Sequence, residues 1–166
     1  MTNLALLLGV TALTLAAAVP ASDEAFAKKA AQGGEAEVQL GQLALTKASN
    51  QKVKDFAQKM VDDHSRMGDD LKALAAQKDI MLPSGLSEDD QALSNKLSGL
   101  SGDAFDKAYM SAMVKDHRTD IADFQKEANS VADKALHGFA SRNLPTLRQH
   151  LQLAMNAATA VGAPTT

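Results

Sequence analysis

There is no cysteine among the 166 residues. That excludes disulfides, a lipoprotein attachment thiol and any thiolate metal site, so the fold must be held by core packing alone. Tryptophan is also missing and tyrosine occurs once. Alternating β-branched runs are few, which leaves little to build a sheet from. Neither charge sign dominates: 17 Lys and Arg stand against 20 Asp and Glu, and the lysines are interspersed with aspartates. Such a surface offers nucleic acid no basic face. A glycine-rich phosphate loop, a nucleophile motif and HExxH are all absent, so hydrolase and transferase readings have no footing and no enzyme activity is read from the sequence.

Long apolar runs are confined to Leu4–Val19. This run is short for a membrane span and fits the apolar region of a secretory signal. Val19 and Ala21 make acceptable small-residue cleavage positions, with a cut after Ala18 as the alternative. The only positive charge ahead of the run is the amino terminus. Residues 1–21 are therefore read as a signal peptide, which predicts a periplasmic or secreted protein with no stable membrane span after cleavage.

What is present favours helix. Ala, Leu, Lys, Gln, Asp and Met dominate, and a chain of 17.4 kDa suits one domain with a real core. After the leader, Ser22 or Asp23 can cap a first helix to about Ala48, with an inward stripe of Phe26, Ala30, Gly33, Glu37, Leu40 and Ala44. Gly33-Gly34 disfavours helix by about 1 kcal/mol per glycine relative to Ala, which suggests a close helix approach or a kink there. Asn50 caps a second helix to about Asp79, whose stripe is Val53, Phe56, Met60, His64, Met67, Leu71 and Leu74. The short junction makes these two an antiparallel hairpin. A third helix runs from about Asp103 to Asn129, with Phe105, Tyr109, Met113, His117, Ile121, Phe124 and Ala128 inward. The last begins near Val131 and carries Leu136, Phe139, Ala140, Leu147, His150, Leu151 and Ala154. Pro145 should break or kink it near residues 141–143, or Asn143 should cap a fresh helix. Residues 161–166 are expected to form a disordered tail after a bundle spanning 22–160.

Met81 to Ser101 connects the second and third helices, with a short helix from Ser87 to about Leu97. A helix of about 28 residues is about 42 Å long, and this connection can traverse that length. It therefore permits a crossover that leaves the second and third helices parallel. The predicted architecture is all-α, a four-helix bundle with a crossover containing a short extra helix.

Four polar residues interrupt the apolar stripes. Met60-Val61-Asp62-Asp63-His64 returns as Met113-Val114-Lys115-Asp116-His117, and in both copies the histidine takes a position the period assigns to a hydrophobic residue. Glu37 and His150 do the same in the outer stretches. His64 lies 14 residues past Asn50, His117 14 past Asp103 and Glu37 14 past Asp23; His150 lies at a comparable depth from the far end. At about 10 Å between helix axes the four can converge in one layer. Imidazole and carboxylate without sulfur suit Zn, Fe, Mn, Cu or Ni. Asp120, three residues beyond His117, is the candidate fifth ligand or the acceptor that orients His117. The metal set is thus Glu37, His64, His117, Asp120 and His150. The competing reading is a hydrogen-bonded core network in which Glu37 and Asp120 satisfy the imidazoles.

Other residues read more plainly. Asp63 and Asp116 are turned about 100° from their histidines, toward the surface or an interhelix hydrogen bond. Asp62 can reach Arg66 at i+4. Tyr109 reads as a core residue with a bonded hydroxyl, Met60, Met67 and Met113 as gap fillers, and His137 as partly exposed.

Glu37-Val38-Gln39-Leu40-Gly41, the two Asp-His pairs, Phe105-Asp106-x-x-Tyr109 and Leu144-Pro145-x-Leu147-x-x-His150-Leu151 resemble a bacterial family of secreted ferritin-like domains of unknown function. Its members are often named as exported or membrane proteins, and the resemblance covers about Asp23 to Ala157. It implies a ferritin-like four-helix bundle with a crossover and no established activity. Ferritin-like di-iron proteins carry Glu-x-x-His on two helices, whereas Val61, Val114 and Leu147 stand three before the histidines here. That departure argues against a carboxylate-bridged di-iron oxidase and for a mononuclear His-rich site, or one without metal. Two functions follow: an exported metal-binding protein, or a non-enzymatic envelope or stress-related module whose central residues only knit the core. A metal ion, a second copy of the chain or another envelope protein are the candidate partners.

Overall fold

Asn50 turns the first corner of the chain. Its side chain accepts from the Lys52 N–H at 2.9 Å and so starts α2 (Gln51–Gln77), with only Ala48, Ser49 and Asn50 separating it from α1 (Ala21–Lys47). The computed structural model describes residues 18–130 and 132–165. Residues 1–17, and with them most of the expected signal peptide, lie outside the described residues. Within them the chain is all-helical, continuing with α3 (Glu88–Ser98), α4 (Gly102–Ala128) and α5 (Lys134–Val161). Ser87 caps α3, accepting from the Asp90 N–H at 3.1 Å. No helix among the described residues is long and apolar enough to cross a membrane.

Side-chain ties at both ends show the helix directions. Asp106, in the first turns of α4, accepts from the backbone N–H groups of Ser49 and Asn50 at the start of α2, at 3.1 and 2.8 Å. At the other end Lys78, just past α2, pairs with Asp133, just past α4, at 2.6 Å. Helices α2 and α4 therefore run parallel, and α3 belongs to the crossover between them, as the length of the connection requires. α1 runs against α4, bringing Phe26 near its start to Phe124 near the end of α4, with ring centroids 5.0 Å apart. The two tightest pairings are α1 with α2 and α4 with α5.

The core is in two parts. One packs Leu40, Phe56, Met60, Phe105, Tyr109 and Met113 with Ala154. The other packs Ala27, Met67, Leu71, Phe124, Phe139 and Leu147. Along every long helix the residue between the two parts is polar: Glu37, His64, His117 and His150.

The structure departs from the local sequence pattern at several points. Neither Ser22 nor Asp23 caps α1; Pro20 holds that position without a side-chain bond, and Asp23 is buried in the first turn. Proline at the boundary fits because the first N–H groups of a helix have no partner anyway. The closest helix approach is at Gly41 rather than at Gly33-Gly34: a Cβ on Gly41 would lie 2.9 Å from Val61 Cγ2 and 3.0 Å from the Ala57 carbonyl. Asp133, accepting from the Ala135 and Leu136 N–H groups at 2.9 and 3.0 Å, caps α5, which begins at Lys134 rather than near Val131. Pro145 does not end α5, which runs unbroken through it; Asn143 Nδ2 donates to the Phe139 carbonyl at 3.0 Å one turn upstream. Leu74, Ile121, Ala128 and Leu151 are only half-buried. Arg66 pairs with Asp63 at i+3, while Asp62 takes Gln58 Nε2 at 2.9 Å. After Val161, Gly162 adopts a left-handed φ of 69° and the Ala163 N–H returns to the Ala158 carbonyl at 2.8 Å, a Schellman ending that buries Ala163.

Candidate functional site

A buried Leu or Met at any of the four seam positions would contribute about 1.5–3 kcal/mol, so a polar layer there weakens the bundle unless its groups are used. The helices bring all four residues into contact. Glu37 Oε2 is 2.7 Å from His64 Nδ1, and Glu37 Oε1 is 3.2 Å from His117 Nε2. The three imidazoles form a nearly equilateral triangle, with centroid separations of 5.8 Å (His64–His117), 5.3 Å (His64–His150) and 5.4 Å (His117–His150). One nitrogen of each ring lies within 4.8 Å of one nitrogen of each of the others. Glu37, His117 and His150 are fully buried, and His64 is 2 % exposed.

Two of the rings are held from behind. His117 Nδ1 lies 3.0 Å from the Met113 carbonyl, and a carbonyl can only accept, so Nδ1 carries the proton and Nε2 presents a lone pair. His150 Nε2 lies 2.8 Å from Asp63 Oδ2, which leaves the lone pair on Nδ1. Asp63 is itself fixed by Lys59 at 2.8 Å and by Arg66. The inward atoms His117 Nε2, His150 Nδ1, both nitrogens of His64 and both oxygens of Glu37 have no directed hydrogen bond among the described residues. The two Glu37–imidazole contacts are close in distance but badly aligned. These atoms converge on a shared space more than they bond to one another.

Burial sets the protonation. It pushes the Glu37 carboxyl up to about 8, against the pull of His117. It lowers His64 to about 4 and His150 to about 4, the latter against the hydrogen bond it donates to Asp63, and lowers His117 as well. For Asp63 burial acts upward, but hydrogen bonds from Lys59, His150 and Arg66 outweigh it and bring the carboxyl down to about 2. At neutral pH the layer is therefore three neutral imidazoles and a protonated glutamic acid, backed by an ionised aspartate.

Asp120 stands apart from this set. It is half-buried one turn further along α4, facing Gly33 of α1, and the orienting role expected of it on His117 belongs to the Met113 carbonyl. Asp116 was missed: one of its oxygens groups with Glu37 and His117 within 4.8 Å. Burial, reinforced by Asp90, raises its carboxyl to about 6. The turn of about 100° that takes it away from His117 points it at α1 rather than at solvent. Asp63 is an interhelix hydrogen-bond partner, in agreement with the periodicity. His137 is half-buried on α5 and lies outside the layer. Tyr109 differs from expectation: it is fully buried, yet its hydroxyl has no hydrogen-bond partner among the described residues.

A bundle with this crossover and this interrupted seam has relatives. Residues 9–157 match the family described as Domain of unknown function (DUF4142). The chain belongs to that family. Among solved structures, the DUF4142 chain is similar to a DUF305 protein from Streptomyces coelicolor, at 13% identity and a TM-score of 0.75, covering 87% of this chain and 95% of that one. It is equally similar to a DUF305 fragment from Deinococcus radiodurans, at 13% identity and a TM-score of 0.75, over 88% of this chain and 99% of that one. At such identity the likeness speaks for the fold alone. A comparison with curated proteins finds no match.

Proposed function

We propose that this is an exported protein that binds one transition-metal ion at the centre of its bundle through His64, His117, His150 and Glu37, with Asp116 beside them and Asp120 on the approach. The observation that carries the reading is the triangle of imidazoles with inward nitrogens that lack directed partners. An ion about 2.1 Å from an imidazole nitrogen sits about 3.2 Å from that ring's centroid, and a triangle of the observed size has its corners about 3.2 Å from its centre. The donor set, nitrogen and oxygen without sulfur, suits Zn, Fe, Mn or Cu.

The chain's own residues supply the rest. The Met113 carbonyl and Asp63 set the tautomers of His117 and His150, and such outer partners raise ligand basicity and hold ring orientation. Neutral imidazoles have no proton to lose on binding, so Glu37 is the group that releases one. A bound Zn ion would act there as a Lewis acid, and Fe, Mn or Cu would carry electrons. Support for export is the apolar run Leu4–Val19 and the similar fold of the Streptomyces coelicolor protein, described as a candidate secreted protein.

The short Glu37 contacts to His64 and His117 favour a second reading, in which the layer only knits the core of an envelope module. One titration separates the two. Metal-free protein is titrated with Co(II) and Zn(II) and its metal content measured, beside His64→Ala/His117→Ala. The metal reading expects about one ion per chain, with about one proton released per ion near pH 7, and none retained by the double variant. Equal, negligible retention by both proteins leaves the structural module standing.

A further inference from the structure

The acidic side chains of α4 do not stop at the histidine layer. Asp116, Asp120, Asp123 and Glu127 are spaced by four, three and four residues, which puts them on one face of the helix. That face is turned to α1 throughout. Asp116 stands by Glu37, Asp120 faces Gly33, which has no side chain to cover it, and Asp123 meets Lys29 at 2.5 Å. Glu127 opens with Asp23 onto a cavity of about 420 Å³ at the start of α1. Asp23 and Glu127 are 1 % and 5 % exposed. Asp23 Oδ2 and Glu127 Oε1 nevertheless have no hydrogen-bond partner among the described residues. Two buried carboxylates facing one cavity, each with an unused oxygen, are costly without a cation.

We propose that this cavity takes up hydrated divalent cations on Asp23 and Glu127, and that the α4 carboxylate row leads them inward to the histidine centre. Carboxylate oxygens alone suit hard, hydrated ions. No three of the cavity's carboxylates gather their oxygens as closely as the central donors do, so the site holds an ion loosely enough to pass it on. The row continues to Asp116, beside Glu37 and His117, where a metal ion can follow and an organic amine cannot. Lys29 is the cation already on the path. Its side chain is 62 % exposed and can swing to solvent as an ion passes. Burial, with the nearby Asp23 charge adding to it, raises the Glu127 carboxyl against the pull of His137 and of Lys126, which also lines the cavity.

The hand-over rests on the histidine centre holding a metal; uptake at the cavity does not. The test uses the full chain at low ionic strength. Mn(II) binding is followed by electron paramagnetic resonance, and Co(II) loading of the centre by stopped-flow absorbance, in wild type, Asp23→Asn/Glu127→Gln and His64→Ala/His117→Ala. Weak Mn(II) binding should survive in the histidine variant and vanish in the carboxylate variant. Co(II) loading of the carboxylate variant should slow about tenfold with its final stoichiometry unchanged, since an acidic funnel acts on the on-rate. Loading within about twofold of wild type, or Mn(II) binding indifferent to Asp23→Asn/Glu127→Gln, overturns the proposal. A wild type that binds Mn(II) but never loads Co(II) refutes the metal reading of the centre and the hand-over with it, and the Mn(II) comparison then decides the cavity by itself. Asn and Gln keep the side-chain shapes and remove like charge, and Glu127→Gln alone serves as a milder second variant.

Discussion

A phenol buried without a partner weakens a fold, and Tyr109 is such a group. Phe105 stacks on its ring at 5.6 Å and Phe56 meets it edge-on at 6.2 Å, so packing alone accounts for its place. Burial, with the Glu37 charge acting in the same direction, pushes its hydroxyl pKa well up. Tyr109→Phe keeps the ring and removes the unbonded hydroxyl, and is expected to raise stability by about 1 kcal/mol, read as a higher urea midpoint at unchanged slope. A loss of that size would mean the hydroxyl is bonded after all. The inward imidazole nitrogens also lack directed bonds, but they converge on one another, whereas the Tyr109 hydroxyl belongs to no such group.

Helix ends decide how the elements are joined. The carboxylate of Asp106 takes two backbone N–H groups and the Ser49 hydroxyl, the last at 2.6 Å, in a position only 1 % exposed. It thereby pins the start of α2 to the start of α4. Asp106→Ala removes the charged acceptor of those N–H groups at a part-buried junction, and should cost about 2 kcal/mol in chemical denaturation. Asp103, which meets the same Ser49 hydroxyl at 3.1 Å from an exposed position, is the control; Asp103→Ala should cost less than about 0.5 kcal/mol. If the two losses were equal, the Asp106 tie would be no more than a surface contact.

For the whole molecule the histidine layer makes stability depend on pH. Glu37 binds its proton more tightly folded than unfolded, so its contribution is complete below about pH 4.5 and is lost as pH rises through about 8. His64 and His150 are depressed to about 4, so theirs is complete above about pH 6.5 and is lost as pH falls through about 4. Asp116, raised to about 6, acts in the Glu37 sense at lower pH. Between pH 6.5 and 8 Glu37 dominates this layer. Metal-free protein should therefore lose up to about 1.4 kcal/mol per pH unit there, and Glu37→Gln should flatten the slope when urea midpoints are compared across that window. An unchanged slope in the variant would assign the effect to other carboxyls, Asp120 first among them, since burial and the Glu37 charge hold its carboxyl well up.

Periodicity alone determined the four long helices, the crossover and the depth of Glu37, His64, His117 and His150, because a side chain's height and face on a helix follow from its spacing along the chain. Capping was legible at Asn50 but not at Asp133, an equally local acceptor. It was not legible at Asp106, which caps a helix 56 residues away. Tertiary structure alone decided which face of α4 meets α1. That made Asp116 a neighbour of Glu37, lined the acidic residues of α4 toward Asp23, and put the close approach at Gly41. It also decided which atom holds His150, since Asp63 lies on another helix, whereas the Met113 carbonyl that holds His117 is one turn upstream on the same helix. Spacing specifies direction and depth along one helix, and the identity of the neighbour across the gap is a property of the assembled bundle.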